Sequence, residues 1–139
     1  MYTTKNNKIH AALLLDPHSL RYQVEMTPSE ALDFTGQLEN YNDFYPESVA
    51  ELLEKINDLI PAMQFAPNNP NNGRPHHTYR VGRESSRVLY LDIVKAYMPA
   101  SDYAAIAHTL TAWGHKAKAD EAWVEEDSES MFTFRFWWD

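Results

Sequence analysis

The sequence predicts an α+β fold: a single domain spanning residues 1–139, with a mostly antiparallel sheet of about six strands and three helices packed on it. Three observations carry this expectation. Segments near both ends alternate apolar and polar residues with a period of two. A segment before the middle repeats apolar residues at steps of three and four. The segments follow one another as runs of strands and helices rather than strict strand–helix alternation, which favours an antiparallel sheet. The chain has 139 residues, of which 44% are hydrophobic and 13% aromatic, so it suffices for one core without staples.

Ile9–Leu15 is an apolar run of strand length, and Asp16-Pro17-His18-Ser19 is a turn cluster. Leu20, Tyr22, Val24 and Met26 then alternate with polar residues, so the first unit reads as a hairpin. Thr27-Pro28-Ser29-Glu30 has the form of a helix start: a capping threonine, proline at the first helical position and the glutamate of a capping box. Gly36 and the polar-aromatic run 40–46 keep this helix short. The second helix carries the stripe Val49, Leu52, Leu53, Ile56, Leu59, Ile60 and Met63, and Pro61 is expected to end or bend it near Leu59.

Residues 66–77 form an Asn/Pro-rich loop. After it, the order is ββαββ. Thr78–Val81 reads as a short strand, Gly82–Ser86 as a turn, and Val88–Val94 as a central strand, apolar on both faces except at Asp92. Pro99-Ala100-Ser101-Asp102 opens a third helix, which Gly114 is expected to stop. Glu121–Glu126 and Met131–Trp138 form a terminal hairpin. In its second strand Phe132, Phe134, Phe136 and Trp138 share one face, and Met131, Thr133, Arg135 and Trp137 the other.

Charge is unevenly placed. The chain carries −8, yet four of its six arginines, Arg74, Arg80, Arg83 and Arg87, fall within fourteen residues, with His76 and His77 among them. Guanidinium forks suit phosphate and carboxylate, and a hairpin here would bring Arg80 and Arg87 together. The opposite cluster is the run 120–129, with six acids and no base, including Asp120, Glu125, Glu126 and Asp127. It suits a basic partner, or deters edge-to-edge aggregation of a strand. Asp92, inside an apolar strand, predicts a pairing with an arginine. Trp137, opposite the phenylalanine face, is a candidate anchor for a partner.

Catalytic signatures are absent from the sequence. The six histidines give neither HExxH nor a zinc-finger spacing, so no metal is expected, and no cofactor motif occurs. His76-His77-Thr78-Tyr79 supplies half of a two-histidine phosphoesterase pattern, and no second half follows. The chain has no cysteine, its apolar run Ala11–Leu15 is too short for a signal peptide, and no stretch reaches the ~18 apolar residues of a membrane span. The expectation is a soluble cytoplasmic protein away from membranes. Its predicted role is non-catalytic: a small acidic inhibitor, immunity or adaptor domain, of the kind found in bacterial and phage conflict systems. Its partner is expected to be another protein, with a homodimer as one possibility. Two alternatives stand beside it: a small enzyme or sensor for a phosphate-containing ligand held at the Arg74–Arg87 island, and an acidic mimic of nucleic acid.

Overall fold

The computed structural model describes residues 23–38, 43–63, 77–84, 86–95 and 103–139. Among these, β1 (Gln23–Met26) is followed by helices α1 (Pro28–Gly36) and α2 (Pro46–Met63), then β2 (His77–Glu84), β3 (Ser86–Val94), α3 (Tyr103–Lys116), β4 (Glu121–Asp127) and β5 (Met131–Trp138). The five strands form one antiparallel sheet in the order β1-β2-β3-β5-β4. The α+β class and the ββαββ order of the second half are as the sequence predicts; the described sheet has five strands, where about six were expected. The remaining predicted strand, Ile9–Leu15, lies outside the described residues, as do the 66–76 part of the Asn/Pro-rich loop and the Pro99–Asp102 helix opening.

The period-two pattern sorts the strands into two faces. One row runs Met26, Tyr79, Leu91, Phe134, Val124 across the five strands, and its neighbours Val81, Leu89, Ile93, Phe132, Phe136 and Trp138 share that face. All of these except Val124 are buried. The helices cover this face. Asn57 of α2 bonds to Tyr79, Tyr103 of α3 stacks on Phe132 at 5.3 Å, and the Trp138 indole donates to the carbonyl of Ala117, just past α3. Leu52, Leu53, Ile56 and Ile60 of α2 complete one hydrophobic core with Ile106 and Leu110 of α3. The position of β3 at the centre of the sheet explains its apolar run, because Val88 and Tyr90 are buried on the second face as well.

The ends of the helices show where local sequence is obeyed and where it is overruled. At α1 the capping box forms: Thr27 Oγ1 accepts from the Glu30 backbone, and Glu30 Oε1 accepts from the Thr27 backbone. Helix α2 does not stop near Leu59 but continues through Pro61 to Met63. Proline there forfeits one backbone bond, to the carbonyl of Asn57, close to the helix end. Nor does Gly114 stop α3, which runs to Lys116, with Lys118 in the left-handed region (φ 72°) beyond it. Gly114 serves packing instead: a Cβ there would lie 2.8 Å from Phe136 Cδ1 and 3.0 Å from Ala122 Cβ. The glycine lets α3 approach the sheet. No described helix is long and apolar enough to cross a membrane.

Candidate interaction surface

The hairpin of β2 and β3 divides the arginines. Strand alternation puts His77, Tyr79 and Val81 on the helix-bearing face of β2, and Thr78, Arg80 and Gly82 on the other. The register opposes Arg83 to Arg87 and Arg80 to Tyr90. Arg80 and Arg87 are therefore not brought together, as was expected of a turn at residues 82–86; they stand on opposite faces. The strands extend to Glu84 and Ser86, leaving residue 85 between them, and each added residue reverses the face. Arg74 and His76 lie outside the described residues.

Arg80 has an internal function. Its Nε donates to Asp92 Oδ2 at 2.7 Å and its Nη2 to Oδ1 at 3.0 Å, while Thr133 donates to the same Oδ1 at 2.6 Å. This is the arginine pairing expected of Asp92. It satisfies a carboxylate in the middle of the sheet with charge-assisted bonds. The hydrogen bond to Asp92 raises the Arg80 guanidinium above its ordinary range, against the opposing effect of burial. The guanidinium also lies 4.5 Å from the centre of the Tyr90 ring. Arg87 sits over Phe44 at 4.8 Å, on the helix-bearing side.

His77 belongs to the core. Asn57 Oδ1 accepts from Tyr79 at 2.6 Å and from His77 Nε2 at 2.9 Å, so Nε2 carries the proton. Burial pushes the Tyr79 phenol well above its ordinary pKa. The two side chains enter between β2 and α2, where they are nearly inaccessible. Among the described residues no group of three or more His, Asp or Glu side chains is placed to hold a metal.

The acidic cluster is organised differently. β4 lies at the edge of the sheet, and from Trp123 onward every residue of it is exposed. Its register with β5 is regular from Glu121 to Val124 and is interrupted by a bulge before Glu126. Two of its acids are paired: Glu121 with Arg135 at 2.8 Å, and Asp127 with Lys95. The Asp120 carboxylate accepts from the backbone of Asp139 at 2.7 Å, and so fastens the last residue to the start of β4. Among the described residues Glu126 accepts from Ser128, at 3.1 Å, and Glu125 from the Trp123 indole, at 2.9 Å.

Trp123 is the residue that sequence reasoning missed. It is 43% exposed, and Val124 beside it 40%. Its ring nevertheless has two polar neighbours, with the buried Arg135 guanidinium 4.8 Å from its centre and Glu125 accepting from its N–H. The signal was present in the sequence: a tryptophan and a valine within the run 120–129, which holds six acids and no base. Trp137, the tryptophan singled out from the sequence, is on the second face as expected, opposite Val88 and Glu121, but only half exposed. Comparison with known proteins found no matching family model, no matching curated protein and no matching solved structure.

Proposed function

We propose that this chain is a non-catalytic interaction protein, of inhibitor, immunity or adaptor type, that presents β4 to a basic protein partner. The observation that carries the reading is Trp123. A large aromatic side chain exposed to water, yet already contacted by Arg135 and Glu125, offers contact area at small entropic cost. Glu125 and Glu126 surround it with negative potential that would attract a basic surface and reject an acidic one. A phosphate-ligand reading asks the arginines to converge, whereas Arg80 and Arg87 stand on opposite faces and Arg80 is engaged by Asp92. A nucleic-acid mimic asks the acids of α2 and β4 to line up on one surface. Helix α3 packs on β4 and also lines a cleft with Ser48, Glu51 and Lys55 of α2.

The test is comparative capture from native lysate with three baits: the natural chain, Trp123→Ala, and Glu125→Lys with Glu126→Lys. The expected result is one protein retained stoichiometrically by the natural chain and lost from both variants, with all three baits melting within a few degrees of one another. Capture of the same protein by all three baits would overturn the reading. If Trp123 is an anchor worth roughly 2 kcal/mol, its removal weakens the isolated complex about 30-fold.

A further inference from the structure

We infer that the partner binds as an extended basic segment that adds a strand to the outer edge of β4. This deepens the proposed function and rests on it. Each strand of a sheet directs alternate backbone N–H and C=O groups to either side, so half of those in β4 face away from β5. Among the described residues no strand pairs with β4 on that side. From Glu121 to Val124 the strand is regular, which gives a straight edge for roughly four residues of an added strand before the bulge turns it away.

The side chains specify what would add there. Glu121 and Trp123 stand on one face of β4, while Ala122 and Val124 stand on the other. An added strand would meet the indole and the Glu121 carboxylate, itself bonded to Arg135, on its first face and an apolar valine on its second. Its own residues would then alternate, with lysine or arginine on the first face and an apolar residue on the second. A cation on the first face would lie near Glu125 and the exposed part of the indole, whose other contact is already a guanidinium. The same arrangement disfavours a second copy of this chain, because pairing β4 with itself would set carboxylates against carboxylates. The acids thus guard the edge against its own kind and leave it open to a basic strand.

The probe is a capped heptapeptide of alternating arginine and valine, compared with the same peptide N-methylated at alternate backbone amides along one edge and then along the other. Binding to the isotopically labelled full chain is read by amide chemical shifts and by hydrogen exchange. The expected result is shifts centred on Glu121–Val124, slower exchange of β4 amides, and at least tenfold weaker binding when one of the two edges is methylated. Equal binding of all three peptides at β4 would overturn strand addition and leave the acidic-surface reading standing. No binding, or binding away from β4, would overturn both. A dimer of the chain joined through β4, seen by sedimentation, would overturn the choice of a basic partner.

Discussion

Tyr79 shows how one buried side chain can set a pH limit on the fold. Its hydroxyl donates to Asn57, and burial raises its pKa above the ordinary 10.0. The unfolded chain ionises this phenol near its ordinary pKa, while the folded chain keeps the proton. Its stabilising contribution is therefore whole below pH ~10 and is lost as the pH rises from there toward the raised folded value. Tyr79→Phe should cost about 1 kcal/mol in urea unfolding at pH 7, and the difference from the natural chain should shrink at pH 10.5; the other tyrosines cancel in the comparison. Arg80 works through geometry instead of titration. Among the described residues, Arg80→Ala would leave Asp92 with Thr133 as its side-chain partner, and should cost about 1–2 kcal/mol, moderated because the Arg80 side chain is 33% exposed. Arg80→Lys should recover only part of this, since an ammonium cannot reproduce the two-point contact. Unchanged urea midpoints for both variants would show that Asp92 does not need its arginine.

At the scale of elements, Gly114 and Thr27 make opposite predictions about helices. Alanine normally favours a helix interior over glycine by about 1 kcal/mol. In α3 the added methyl would press on the Phe136 ring, itself fully buried between Phe134 and Trp138. Gly114→Ala should therefore destabilise by about 1–3 kcal/mol in spite of propensity. Adding Phe136→Leu should cost less in the Gly114→Ala background than in the natural chain, and strict additivity in that double-mutant cycle would refute the close contact. Thr27→Ala tests purely local chemistry. It removes one arm of the α1 capping box and should lower stability by about 1 kcal/mol, measurable in the same denaturation series.

For the whole molecule the governing quantity is the distribution of charge. The net charge is −8, and in the described structure the cations near β4, Lys95 and Arg135, are already bonded to Asp127 and Glu121. Among the described residues Glu125 and Glu126 have no cation bonded to them, although Glu126 acts electrostatically on Arg80, and they would draw in the proposed basic partner from a distance. Neutralising them as Glu125→Gln with Glu126→Gln should slow association more than it speeds dissociation, and raising the salt concentration should imitate the change. Trp123→Ala should do the reverse, acting mainly on dissociation. Kinetics of the isolated complex, measured at two salt concentrations, separate the two effects; equal effects of both substitutions on the two rates would refute the division of labour.

Local and periodic features of the fold are legible in the sequence. The α2 stripe, the Thr27–Glu30 box, the central β3 and the two faces of β5 depend on residues within a few positions of each other, and their periods of 3.6 and two directly encode which side is buried. The need of Asp92 for an arginine was also legible, because an acid in an apolar strand must be compensated. Which arginine compensates it was decided by register, and register depends on turn length. A longer loop, with Arg80 in register with Arg87, would have placed the two arginines side by side, whereas the observed hairpin gives Arg80 to Tyr90 and Asp92. Likewise, α3 passes through Gly114 because Phe136, 22 residues away in the chain, occupies the space a side chain would need. The exposure of Trp123 follows from the place of β4 at the end of the strand order and from the bulge after Val124. Sequence by itself determined the elements and their buried sides, through short-range periodicity and capping. Tertiary structure alone decided which charges neutralise one another and which aromatic ring is left facing water, because both depend on distances between residues far apart in the chain.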